Sequence, residues 1–218
     1  MRNLIQPRVL LTSGGAALLS ASACYPRLAL WLDRPDHLGF LWLVLGWVSF
    51  VLWSFVFAWP APFANAKVFH VRIPARAWWG ATLSAMGLAV AFRLWVDPVL
   101  RRFTPDDYPN SLGLWGAMTG FDLAFDQLFL CFAPFAFFMR LFAHRQVATV
   151  ATVLFGLLIM ALKVSTAAAT PPLLVLLGLL LGRILIGWLT VRWYLAGGVF
   201  LAWGWRLLLE ARHLPGLL

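Results

Sequence analysis

Charge is scarce in this chain. Only 11% of its 218 residues are charged, with eight carboxylates and two lysines among seventeen basic residues, against roughly 25% charged residues in a soluble domain. That deficit excludes an ordinary soluble enzyme or binding module. Polar linkers and tandem repeats are missing too, which excludes solenoids and strings of flexibly joined domains. No period-2 alternation persists long enough for an outer-membrane barrel. The two cysteines, Cys24 and Cys131, fall inside apolar stretches, where a lone thiol behaves as a small hydrophobe and says nothing of redox compartment. The four histidines, His37, His70, His144 and His213, are read as loop or C-terminal residues. None is expected to share a helix face with another histidine or a carboxylate, so no zinc-type metal site is expected. A Gly-x-Ser-x-Gly elbow, a phosphate loop and a dinucleotide fingerprint are all absent, and no cofactor follows from any motif. Gly14-Gly15 and Gly197-Gly198 read as helix-packing pairs.

What the chain has is apolar length. Hydrophobic residues make up 62% of it and the mean hydropathy is +0.85, the signature of a polytopic integral membrane protein. Apolar runs at about 9–26, 38–59, 77–96, 113–141, 147–164, 173–192 and 195–211 predict an all-α transmembrane bundle of about seven spans. At about 20 residues per span, little remains for a soluble catalytic domain. The spans group as an N-terminal three-span segment, residues 1–112, and a four-span core, residues 113–218. Arg2 and Arg8 before an apolar run imitate a signal peptide, with Ala21, Ser22 and Ala23 as a mock cleavage site. The topology works best with this segment kept as the first span. The fourth run is too long for an upright helix, and is expected to tilt or to break near Gly113 to Gly120, with Pro134 free to kink it.

The formal charge is +9, yet the basic residues are scattered between spans, with no basic patch and no interleaved aromatics. No nucleic-acid partner is expected. With the N-terminus in the cytoplasm, Arg2, Arg8, Lys67, Arg72, Arg76, Arg140, Arg145 and Arg192 fall on the cytoplasmic side. Arg27, Arg34, Arg101 and Arg102 fall opposite, offset by Asp33, Asp36, Asp97, Asp106 and Asp107. This asymmetry predicts a multi-pass protein of the cell inner membrane with a cytoplasmic N-terminus. Arg206 and Arg212 fit less well, and leave an eighth crossing open. Of thirteen tryptophans, Trp31, Trp59, Trp78, Trp79, Trp95 and Trp193 sit at span edges as interfacial anchors. Trp42, Trp47, Trp53, Trp188, Trp203 and Trp205 lie deeper, as packing residues or as the lining of a lipid or pigment groove.

The chemistry-bearing residues gather in the fourth span. Asp122 and Asp126 are four apart on one helix face, with Gln127 beside them. An ionised carboxylate at membrane depth costs several kcal/mol unless paired or hydrated. These three are the candidate catalytic residues, since adjacent carboxylates in a poor solvent suit acid-base work. The structural alternative pairs Asp122 and Asp126 with the intramembrane cations, Lys163 and Arg183 foremost, then Arg93 and Arg206.

The run Phe121-Asp-Leu-Ala-Phe-Asp-Gln-Leu-Phe-Leu-Cys131, an apolar span ending near Lys163, and Leu181-Gly-Arg-Ile-Leu-Ile-Gly-Trp-Leu-Thr-Val-Arg192 before an aromatic-rich last helix together resemble the CAAX prenyl protease and bacteriocin-processing family. The similarity covers about residues 113–213 and implies an intramembrane helical core. That family uses a Glu-Glu-x-x-x-Arg motif, a Phe-x-x-x-His and a further histidine to activate water. Carried over, the paired acids become Asp126 and Gln127, the arginine becomes Cys131, the Phe-x-x-x-His becomes Ile159 to Lys163, and the last histidine falls near Trp203. Every catalytic position is changed, so the resemblance implies the fold more than the activity. The leading expectation is a non-catalytic subunit or assembly partner of a larger membrane complex, of photosynthetic or respiratory type for instance, whose partners are lipids and other transmembrane subunits. The alternatives are an intramembrane protease using Asp122 and Asp126, and a small transporter with Asp126 and Lys163 on a proton path.

Overall fold

The structure is a computed structural model describing residues 6–31, 35–60, 68–70, 72–103, 105, 108–165 and 172–217. Arg2, Asp33, Arg34, Lys67, Asp106 and Asp107 lie outside the described residues. The chain is all-α. Six helices are long and apolar enough to cross a membrane: α1 (Pro7–Trp31), α2 (Leu38–Ala58), α3 (Ala75–Arg102), α4 (Leu112–Phe142), α5 (Arg145–Ser165) and α6 (Leu173–Glu210). Their outer faces carry large apolar side chains such as Leu11, Leu19, Trp47, Trp79, Leu83, Trp95, Leu154 and Leu181, all exposed. Exposed apolar area on every helix suits lipid, not water.

Within lipid the helices gain little from burying one another's apolar surface, so they associate through close packing and hydrogen bonds. Small residues supply the close approach. On α1 a stripe of Ser13, Ala17, Ser20, Ala21 and Cys24 is buried, and Ser20 Oγ accepts the indole N–H of Trp53 on α2 at 2.9 Å. On α3 the stripe is Ala81, Ala85 and Ala89, packed under Trp193, Leu201, Trp205 and Leu209 of α6. Where α4 crosses α1, a Cβ on Gly120 would lie 3.1 Å from the Ala23 carbonyl oxygen, so glycine sets that distance.

Helix α6 is two arms folded back on each other at Gly198. This residue has φ 72° and ψ −166° inside an otherwise helical run, a region open essentially to glycine alone. Contacts on the two sides mirror each other: the N–H groups of Trp193 and Trp205 both donate to Ser84 Oγ, at 3.2 and 3.1 Å. Before the turn α6 descends α3, Gly182 packing on Phe92 and Trp193 lying against Gly80. After it the chain climbs back, from Gly204 against Trp78 to Arg212 at Asp97. The turn leaves backbone groups without helical partners, and an extended piece around Phe69 takes them up. Val199 N–H donates to the Val68 carbonyl at 3.0 Å, and Phe69 pairs with Gly198 as an isolated antiparallel bridge.

The sequence places this break at 192–195 and treats residues 195–211 as a seventh span. The fold moves the turn to Gly198 instead, while Gly197 remains a close-packing position, where a Cβ would lie 3.0 Å from the Ile73 side chain. The returning arm, residues 199–210, is roughly 18 Å long at about 1.5 Å per residue, short of the ~30 Å hydrocarbon core. Trp193 and Trp59 are likewise interior residues, 7% and 2% exposed, not interfacial anchors. The Trp59 indole donates to the Tyr194 hydroxyl at 2.8 Å, inside a cluster with Phe132 and Phe135.

Antiparallel packing puts the end of α2, the start of α3, the α4–α5 corner and the Gly198 turn at one end of the bundle. The end of α1, the starts of α2, α4 and α6, the ends of α3 and α5, and Glu210 lie at the other. Arg8, Arg72, Arg76, Arg140, Arg145 and Arg192 belong to the first end, where no carboxylate stands among the described residues. Asp36, Asp97, Asp122 and Glu210 lie toward the second, and Asp126 stands at the middle of α4.

Candidate functional site

Helix α4 does not break near Gly113 to Gly120. Instead it widens into two π-helical stretches, Asp122–Asp126 and Leu128–Phe132, with Gln127 between them. Pro134 follows directly, and its missing N–H removes one rung from the ladder there. Helix α3 has a third such stretch at Phe92–Val96. These wide turns recur at functional sites, and here they carry Arg93, Asp122 and Asp126, with Gln127 between two of them.

The returning arm of α6 brings its charges to this region. Arg206 Nε donates to Asp122 Oδ2 and its Nη2 to Oδ1 at 3.1 Å, a bidentate fork of the strong, geometrically specific kind. Arg206 Nη2 also lies 3.0 Å from Glu210 Oε1, one turn on. Glu210 is held further by Arg212 Nη1 at 3.3 Å and by His213 Nε2 at 3.5 Å. Arg212 then reaches Asp97 at 3.3 Å, and the Tyr108 hydroxyl donates to the same carboxylate at 3.1 Å. The Trp115 indole donates to the Glu210 carbonyl at 3.0 Å, and Arg93 to that of Arg212 at 3.2 Å. One continuous network thus ties α3, α4 and the end of α6 together.

Tyr108, in the connection between α3 and α4, has its phenol pushed above the usual range by burial, and further by the neighbouring Asp97 charge. It stays a neutral donor. His213 is buried at 5% exposure against the Tyr108 ring. The expectation that no histidine shares a face with a carboxylate fails here, because a short 3₁₀ helix, Ala211–Gly216, puts His213 over Glu210 three residues back.

The other sequence candidates sit one turn deeper. Asp126 lies in the field of Asp122, Arg206, Arg183 and Lys163. Gln127 is 4% exposed, and among the described residues neither its amide oxygen nor its nitrogen has a hydrogen-bond partner. Arg183 packs over Gly156 of α5, where a Cβ would meet its guanidinium at 2.9 Å, and its buried Nη2 has no partner among the described residues. Cys131 is 2% exposed on the second π-stretch. Trp203 faces Trp53 and Phe200, its indole nitrogen buried and without a partner among the described residues. Among the described residues no group of three histidines, cysteines or carboxylates is placed to hold a metal ion. The sequence does not mark Glu210, Asp97 and Arg212 as site residues, because Asp97 lies 115 positions from Arg212 and Glu210 falls at the expected edge of a span. The only sequence signal was the unexplained pair of cations, Arg206 and Arg212.

Chemically, the arrangement spends Asp122 on Arg206 and Glu210 on three basic groups, leaving Asp126 as the carboxylate of α4 outside these ion pairs among the described residues. General acid-base hydrolysis needs a base and a proton donor converging on one reacting atom. No family model, curated protein or solved structure matches the chain, so the protease-like resemblance gains no support from these comparisons.

Proposed function

We propose that this polytopic membrane protein is a non-catalytic subunit or assembly partner of a larger complex in the inner membrane. The bidentate Asp122–Arg206 pair carries the reading. It occupies one of the two carboxylates that an aspartic pair would need, and uses it to fasten the returning arm of α6 to α4. An interior charge network whose carboxylates are held by arginines across helices suits a scaffold. The apolar outer faces suit lipid and other transmembrane helices as partners. This reading does not depend on descent from the protease family. Extraction of native membranes in mild detergent should yield the 24.4 kDa chain in an assembly of fixed subunit composition, unchanged by Asp126→Asn. Reconstituted protein should leave membrane-embedded and prenylated peptides intact. A monomer that cleaves such peptides, and stops doing so on Asp126→Asn, would overturn the proposal in favour of the protease.

One observation favours a second reading as a small transporter: Asp126, the unpartnered Gln127 amide and the unpartnered Arg183 nitrogen occupy the same membrane-embedded region. Polar groups of this kind mark ion and proton paths. Proton flux into liposomes that is abolished by Asp126→Asn would establish it.

A further inference from the structure

At the basic end of the bundle a cavity of about 390 Å³ opens between α5 and the descending arm of α6, lined by Thr149, Trp188, Arg192, Leu195 and Ala196. Arg192 is exposed, and among the described residues no carboxylate pairs with it. Its guanidinium lies 5.4 Å from the Trp188 ring and 5.3 Å from the Trp193 ring. Trp193 is itself fixed by its hydrogen bond to Ser84. Aromatic contacts use the faces of a guanidinium and leave its N–H edges to donate, which pre-orients a fork suited to phosphate. Thr149 gives its hydroxyl proton to the Arg145 carbonyl at 2.8 Å, so the headgroup chemistry of the groove falls to Arg192. The remaining walls are apolar. Arg192 stands six residues before the Gly198 turn and Thr149 four after Arg145, which is headgroup depth at this end of the bundle.

We infer that this groove binds an anionic phospholipid, its phosphate on the edge of Arg192 and an acyl chain along Trp188, Leu195 and Ala196. Charge complementarity selects the ligand, since no described carboxylate stands at this end of the protein. The apolar walls select a lipid over free phosphate, because inorganic phosphate has nothing to place against Leu195 and Ala196. A zwitterionic lipid brings its own cation to an already basic surface.

The test is native mass spectrometry of the full chain released from micelles containing equimolar phosphatidylglycerol and phosphatidylcholine. The wild type should retain phosphatidylglycerol preferentially, and Arg192→Gln should lower that retention about five- to tenfold. Arg192→Lys should keep part of it. Thr149→Phe, which fills the groove with Arg192 intact, should lose it, whereas Arg101→Gln at the opposite end should not. Should Arg192→Gln lose its thermal transition, Arg192→Lys and Thr149→Phe decide. Unchanged retention in Thr149→Phe, equal retention of both lipids by the wild type, or displacement of phosphatidylglycerol by millimolar inorganic phosphate would each overturn the assignment, the last in favour of a phosphate site.

Discussion

Arg206 on the returning arm of α6 grips Asp122 on α4 with two guanidinium nitrogens, although the two residues are 84 positions apart. Both side chains are less than one-fifth exposed. Removing one partner of a buried pair leaves an uncompensated charge at a cost of about 3–5 kcal/mol, whereas neutral replacement of both is much cheaper. Arg206→Met and Asp122→Asn should therefore each destabilise strongly, and the double variant should recover much of the loss in a denaturation cycle. Additive losses would show that the two groups do not act as a pair.

The same cycle on Asp126 and Lys163 probes the deeper charges. Asp126 shares the fields of Arg206 and Arg183 as well as Lys163, so its coupling to any one cation is divided. Asp126→Asn with Lys163→Met should show a coupling energy smaller than that of Asp122 with Arg206, and larger values would reverse the ranking.

Gly198 should tolerate no side chain. Its backbone conformation costs about 1–3 kcal/mol for other residues, and a Cβ there would sit 2.5 Å from the Val68 carbonyl oxygen. Gly198→Ala should lower the unfolding midpoint and speed hydrogen exchange at Val199. Gly178→Ala, where a Cβ meets nothing within 4 Å, should be harmless. Equal effects would remove the turn from the account.

Membrane orientation follows from where the carboxylates lie. With the native cysteines buried, single cysteines at Arg76 and Arg145 should be shielded from an impermeant reagent in intact cells, while one at Asn110 should react. The opposite pattern would place the N-terminus outside.

Tyr108 gives a pH dependence of defined sign. Its folded-state pKa is raised above the ordinary value of 10.0 by burial and by Asp97, so above pH 10 the folded form holds a proton that the unfolded form has lost. Stability from this group is complete below about pH 10 and falls as pH rises beyond it. Tyr108→Phe should flatten that alkaline decline and cost about 1 kcal/mol at neutral pH through the lost hydrogen bond to Asp97. An unaltered alkaline limb would show that Tyr108 does not titrate in this window.

Much of this protein is decided locally, and those parts were legible in the sequence. Twenty or so apolar residues in a row must form a helix in lipid, because no water is there to satisfy the backbone otherwise. The same rule applied to Leu173 onward, yet could not place the turn. Gly197 and Gly198 look like any small-residue packing pair until the Val68 carbonyl is seen to need room beside them. Asp122, Asp126 and Gln127 stand out in sequence because charge and amide groups are costly in a membrane. Which cation meets Asp122 could not be read there, since Lys163, Arg183, Arg93 and Arg206 are equivalent until the chain reverses. The reversal at Gly198 carries Arg206 back up beside α4, and the 3₁₀ turn after Glu210 brings Arg212 and His213 onto one carboxylate. Apolar length, charge asymmetry and the position of the intramembrane acids are properties of the chain itself. The partner of Asp122 depends on a contact between residues 84 positions apart, and the turn at Gly198 set it.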